Sequence, residues 1–268
     1  MREDCGFMFR LGLQLRSLRM PLRQALKKAS ELGADAIEFD LRNELRPEDM
    51  SITGIRHLKK QMADWNLKIC AASYPTRRGY DNPDDLDRRI DGTKRAMKLA
   101  YQLGAPLLVN HIGTVPEDPT SPRFIQLKEA LLDLGNFGQT TGAVLAAKTG
   151  SEDGEDLARM LSQLPDGLIA VDFDPGAMII NGFSAEDSFK ALHQHIRHVR
   201  GKDGVRDLAR GRGLEVPLGR GTVDFPLLLA LLDDMRYSGY LTVEREHPEH
   251  PEEELGNALA YLREIQRA

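Results

Sequence analysis

The sequence predicts a single (β/α)8 barrel, the TIM-barrel architecture, filling residues 1–268, and three observations carry that prediction. Short apolar runs alternate with amphipathic stretches through the whole chain, the pattern of a parallel sheet with helical crossovers. The 268 residues are an ordinary length for one barrel, and no linker or low-complexity tract sets off a second domain. The first strand-to-helix turn reads LRSLRMP, without the glycines that the competing doubly wound open sheet uses to bind a nucleotide.

The elements follow in order. Residues 9–14 (FRLGLQ) read as the first strand, and Pro21 opens a helix whose apolar positions Leu22, Ala25, Leu26, Ala29 and Leu32 recur at spacings of three and four before Gly33 ends it. Residues 36–39 form the second strand and 51–65 its helix; 68–73 the third strand and 84–103 its helix, closed by Gly104. The fourth pair is 106–110 (PLLVN) and 124–137, the fifth 143–147 and 155–164, the sixth 168–173 and 184–194. Strand seven is 196–200, followed by a long Gly- and Arg-rich connection to an N-cap at Asp224 and the apolar helix 225–235. Strand eight is 240–243 (YLTV), and Pro251 opens the last helix with three glutamates in the first turn, where the helix dipole favours them.

Composition excludes several classes. With 41% apolar and 29% charged residues, and no uncharged apolar run near the length of a span, a membrane protein is not expected. Two cysteines, Cys5 and Cys70, exclude a disulfide scaffold or a cysteine-rich metal centre. The opening MREDCGFMF lacks the apolar stretch of a signal peptide, so a cytoplasmic protein is expected. A net charge of -5 argues against nucleic acid as partner.

Chemistry in such barrels sits at the carboxyl ends of the strands. There the sequence offers Glu38 and Asp40 on strand two, Ser73 and Tyr74 on three, Asn110 and His111 on four, Lys148 on five and Asp172 and Asp174 on six. Strand seven adds His198, Arg200, Lys202 and Asp203, and strand eight Glu244, Arg245 and Glu246. Alternation puts Asp172 with Asp174, His198 with Arg200, and Glu244 with Glu246. Lys148, Asp174, Arg200 and Glu244 thus make a ring of two cations and two carboxylates near the axis. It reads either as a charge-balanced network that merely fills the mouth, or as a pocket for a small anionic or polyhydroxylated molecule with Glu244 or Lys148 moving a proton.

At this point the sequence resembles the xylose isomerase-like TIM-barrel superfamily of sugar isomerases, ketose 3-epimerases, inosose dehydratases and endonuclease IV-type enzymes. The resemblance rests on GADAIEF and LLVNHIG in the second and fourth strand regions. It continues through VDFDPGAMIINGFSAEDSFKALHQHIRHVRGKDG and EVPLGRGTVDFPLLLALLDDMRYSGYLTVERE to strand eight. It implies a sugar or sugar-phosphate isomerase or epimerase with one divalent metal held by Glu, Asp, His and Glu at the ends of strands five to eight. Those positions are Lys148, Asp174, Arg200 and Glu244 here, and the further histidine usual after the strand-six Asp is Ala177. Lysine and arginine offer no lone pair at neutral pH, so no metal and no other cofactor is expected; two fixed cations take the place of the ion's charge. A shifted metal site would have to recruit Asp172, Glu246, His198 or His111 around Asp174 and Glu244. A Schiff-base role for Lys148 is disfavoured, because neighbouring carboxylates keep it protonated.

His111 stands where some relatives carry a further zinc ligand; without the partners for that site it is expected to contact substrate or to hydrogen-bond in the top face. Arg77 and Arg78 after strand three, and Arg206, Arg210, Arg212 and Arg220 after strand seven, join Lys148, Arg200 and Lys202 as cations expected on the mouth face. The substrate-binding set is therefore expected to be His111, Lys202, Arg206, Glu246 and Arg77, recognising a sugar phosphate or sugar acid. His247 and His250 in HPEHPEEE read as part of an ordinary helix start. Two functions stay open: a metal-independent carbohydrate isomerase, epimerase or lyase acting by proton transfer, or a non-catalytic relative that binds a small anionic ligand or a partner protein. The assembly also stays open, a homodimer being ordinary for such an enzyme.

Overall fold

A computed structural model describes residues 9–207 and 212–267; Cys5 and Arg210 lie outside the described residues. Seven parallel strands pair in chain order: β1 (Arg10–Gln14), β2 (Ala36–Asp40), β3 (Lys68–Ser73), β4 (Leu107–Asn110), β5 (Val144–Lys148), β6 (Ala170–Phe173) and β7 (Ile196–Gly201). The connection after β7 forms an antiparallel ribbon of β8 (Asp203–Val205) and β9 (Leu214–Val216), and β10 (Tyr240–Val243) then pairs with both β7 and β1 to close the barrel. The fold is the expected (β/α)8 barrel. No described helix is long and apolar enough to cross a membrane.

The outer helices are α1 (Leu22–Glu31), α2 (Ile52–Asp64), α3 (Leu86–Leu103), α4 (Pro122–Thr141), α5 (Gly154–Leu161), α6 (Pro175–Ile180), α7 (Ala185–Leu192), α8 (Phe225–Asp234) and α9 (Pro251–Ile265). Helix α4 outruns the expected 124–137 at both ends. Ser121 accepts from the Phe124 amide at its start, and Gly142, with φ of 92°, ends it in the left-handed region. Two elements were not expected. Helix α6 is too short to show a period, but Pro175 opens it and the Asp174 side chain caps the Ala177 amide. The β8–β9 ribbon consists of three-residue strands and has no sequence signal of its own.

The main core lies between barrel and helices, where strand residues such as Leu13, Phe39, Phe173 and Val243 are buried with Leu26, Met97, Leu131 and Leu259. A second, smaller cluster joins Ala71, Leu107, Val109, Ala146 and Ala170. Ala146 and Ala170 share strand faces with Lys148 and Asp172, so this small apolar plug lies inside the barrel beneath a charged layer. Gly12 is required in that interior: a Cβ would stand 2.5 Å from Thr242 Oγ1 and 2.9 Å from Cys70 Sγ. The register sets Gln14 against Glu38, Lys148 against Asp172, and Thr242 against Arg200, which brings the polar strand ends to neighbouring levels.

Candidate active site at the barrel mouth

Arg200 is the hub. Its side chain is 1% exposed, with Nη1 2.7 Å from Glu38 Oε2 and 2.9 Å from Glu244 Oε2, and Nε 2.9 Å from Asp172 Oδ2. The Nη1 contacts are close charge pairs without hydrogen-bond alignment, whereas Nε donates to both Asp172 oxygens. Lys148 Nζ donates to Glu244 at 2.8 and 3.0 Å and lies 3.2 Å from Asp174 Oδ2. Lys202 completes the layer, 3.5 Å from Glu244 Oε1 and 3.9 Å from Asp174 Oδ2, and it donates to Glu246. One level down, His198 bridges Asp172 Oδ1 at 2.6 Å and Thr242 Oγ1 at 2.7 Å. Gln14 Nε2 donates to Glu38 at 3.1 Å and to Glu244 at 3.3 Å, and Ser17 Oγ donates back to Gln14.

Four carboxylates (Glu38, Asp172, Asp174, Glu244) therefore face four basic groups (Lys148, Arg200, Lys202, His198). Burial by itself disfavours a charged group, and for Asp172, His198, Glu244, Lys148, Arg200 and Lys202 the partners reverse that. Against desolvation, Arg200 and His198 hold Asp172 down at about 2. The same burial opposes the imidazolium of His198, but Asp172 raises it to about 9, so the ring is charged at neutral pH. Glu244 stays well below the usual carboxylate range despite burial, because Lys148, Arg200 and Lys202 surround it. Lys148 is pushed down by burial and, more strongly, up by Glu244 and Asp174 together, leaving a protonated ammonium. The cluster thus sets four carboxylates against an equal number of basic groups.

Two adjoining cavities of about 580 and 870 Å3 open above this layer and share His111, Lys148, Glu246 and His247. Arg200 and Glu244 form the floor, while Lys148 keeps 13% of its side chain exposed. His111 has solvent access from within the concave mouth, and its Nδ1 lies 3.3 Å from Ser151 Oγ. Surrounding walls and then the Lys148 charge lower its pKa, so the imidazole is neutral at pH 7.

Of the residues singled out in the sequence, Lys148, Asp174, Arg200 and Glu244 come together, with Lys202, Glu246 and His111 around them. Arg77 lines a separate cavity behind the β3 loop, and Arg206 donates to the Gly182 carbonyl beside a groove under α8. Glu38, Asp172 and His198 are the additions: all stood at strand ends, but alternation along one strand cannot reveal which opposite strand they meet. Gln14, the residue linking Glu38 to Glu244, had no sequence signal beyond its place at the end of β1.

The donor set does not fit a divalent metal at the positions the family uses. Lys148 and Arg200 bring positive charge in place of lone pairs, and oxygens of Glu38, Asp172 and Glu244 already face the guanidinium. Among the described residues, no three His, Cys, Asp or Glu side chains are grouped to hold a metal ion. The site is a degenerate form of a metal site, its ligand positions partly taken by cations.

Comparison with known proteins agrees with this geometry. The family model described as xylose isomerase-like TIM barrel matches residues 26–265, and the chain belongs to that family. A fructoselysine 3-epimerase from Escherichia coli O157:H7 is 27% identical over 258 residues, covering 88% of each chain. An inosose dehydratase from Clostridium perfringens is 28% identical over 138 residues, 45% of this chain; the match spans 46% of that relative, about half its length. The solved xylose isomerase domain protein from Planctomyces limnophilus shares the fold, with a TM-score of 0.85 over 97% of this chain and 98% of that one at 20% identity. At family level the chain is a sugar isomerase- or epimerase-like barrel, without an evident metal cluster among the described residues.

Proposed function

We propose that the mouth performs metal-independent proton transfer on a small polyhydroxylated or anionic carbonyl compound of the carbohydrate class. The carrying observation is the pairing of a neutral, accessible His111 with a protonated, partly exposed Lys148 on one cavity wall. His111 is the group suited to remove a proton from the carbon beside a carbonyl, with the Lys148 ammonium stabilising the negative oxygen that develops. Glu244, enclosed by three cations and 3% exposed, is a poor base. With Lys148 standing in place of a strand-five carboxylate, a two-base epimerisation lacks its second base. A single base supports returning the proton to the neighbouring carbon, an isomerisation, or losing hydroxide as water, a dehydration. The relatives named above are an epimerase and a dehydratase, which favours sugar-type ligands for this chain too.

The test is proton exchange in D2O after chelator treatment, read by NMR over a panel of ketoses, inososes and sugar phosphates. Deuterium should enter beside the carbonyl of at least one compound, and His111→Asn should slow this by about 100-fold or more. Exchange that needs added manganese, or that survives His111→Asn, would sink the proposal. The equal number of carboxylates and basic groups in the cluster supports the second reading, a binding protein; calorimetric binding from the same panel without any exchange would favour it.

A further inference from the structure

Two of the cations expected at the mouth, Arg77 and Arg78, instead join four further arginines in a site of their own. Arg42 follows β2, Arg77 and Arg78 follow β3, and Arg88, Arg89 and Arg95 lie on α3; all six line one cavity of about 500 Å3. The strand-end alternation separates this cavity from the mouth. Ser73 and Pro75 line the mouth, whereas Tyr74 and Thr76 line the arginine cavity, and the two share no residue. On α3, positions 88, 92 and 95 fall on one face. Gly92 lets Tyr74 lie against that face, since a Cβ there would stand 2.7 Å from the phenol oxygen.

Carboxylates and basic groups are not matched in number here as they are in the cluster at the barrel mouth. Glu48 and Asp85 also line the cavity, and Asp84 pairs with Arg78 at 2.7 Å, so six cations less three carboxylates leave +3 on a chain of net charge -5. Arg42 and Arg89 are held by neutral backbone carbonyls: Arg42 donates to Pro75 at 3.0 Å, and Arg89 to Asn82 and Asp84. Those bonds orient the guanidinium groups without cancelling their charge. Arg89 Nε is buried without a partner. Among the described residues Arg77, Arg88 and Arg95 pair with no carboxylate. Like charges gathered in this way repel one another unless an anion sits among them. Asp85 caps α3 only through its backbone, at φ of 53°, so the positive helix end adds to the same field.

We propose that this cavity is a second, anion-binding site that takes a small molecule bearing two linked phosphate groups. Planar guanidinium forks match phosphate oxygens in pairs, and about three negative charges on a diphosphate near neutral pH answer the uncompensated +3. The volume suits a small molecule, and the site is back to back with the mouth, so carbohydrate in the mouth does not reach it.

Calorimetry with inorganic pyrophosphate at low salt tests this on the whole 268-residue chain. One saturable site per chain is expected, weakened at least about tenfold in Arg88→Ala/Arg95→Ala and in Arg77→Ala, and weakening further with added salt. Arg212→Ala, which removes a cation on the mouth side, should leave the affinity unchanged. The arginines replaced on α3 are exposed, so unchanged melting curves are expected to accompany the loss. Absence of saturable binding to native protein, equal affinity in the double variant, or loss in Arg212→Ala instead would each overturn the assignment. A short single-stranded oligonucleotide that outcompetes pyrophosphate and fails on the same double variant would replace the small anion by nucleic acid and likewise overturn it.

Discussion

Replacing Arg200 with methionine removes the hub of the mouth while keeping much of its apolar stem. Three carboxylates then lose a cation at 2.7, 2.9 and 2.9 Å, and the inner balance of four against four becomes four against three. Breaking a buried ion pair by deleting one partner costs about 3–5 kcal/mol. At about 2–4 °C per kcal/mol for a chain of this size, the melting temperature should fall on the order of 10 °C. The loss has a pH signature. In the variant one of Glu38, Asp172 and Glu244 is left under-compensated, so its folded pKa rises above the unfolded value. A carboxyl of that kind costs nothing below its unfolded pKa and progressively more as pH climbs towards the raised value. The deficit should therefore be smaller at pH 5 than at pH 8. Manganese offers a second readout: the three carboxylates released by Arg200 suit a hard dication, which should restore about 2.7 kcal/mol at a hundred times its dissociation constant. Circular-dichroism melts of native protein and Arg200→Met at both pH values, with and without manganese, supply all three quantities. Equal melting temperatures, or a deficit that grows on acidification, would refute the account of Arg200 as the counter-ion of the mouth.

Two further outcomes follow from the same electrostatics. Lys148→Glu combined with Arg200→His rebuilds the donor types of the metal-holding relatives around Asp174 and Glu244; elemental analysis after dialysis against manganese should find about one ion per chain in the double variant, and a metal-free double variant would contradict the replacement argument. Glu152, 5% exposed with Oε2 unpartnered, is raised to about 8 by burial and then by Asp156, Asp81 and Asp153. The unfolded chain gives up this proton first, so stability falls as pH rises from about 4.5 to 8; Glu152→Gln should be near neutral at pH 4.5 and stabilising on the order of 4 kcal/mol at pH 9, and a gain of equal size at both pH values in denaturant titrations would count against it.

The barrel was legible because each strand announces itself locally: LLVN, VLAAK and YLTV are apolar runs between capped amphipathic helices, and eight parallel strands with crossovers close. The convergence of Lys148, Asp174, Arg200 and Glu244 was legible for the same reason, since parallel strands deliver their carboxyl ends to one face. Local patterning does not say who meets whom across that face. Arg200 on β7 reaches Glu38 on β2, three barrel strands away across β10 and β1 and 162 positions apart in the chain, and that meeting exists only once β10 and β1 have paired. Nor does sequence say on which side of a loop a cation falls. Pro75 faces the mouth and Arg77 the outer cavity, although they are two residues apart, because the alternation that carries past β3 holds through Thr76 and breaks at Arg77, where the chain turns. Strand periodicity is a property of neighbouring residues and is written in the sequence. The partner of a buried charge is set by barrel closure and loop geometry, which bring together groups that no local rule relates.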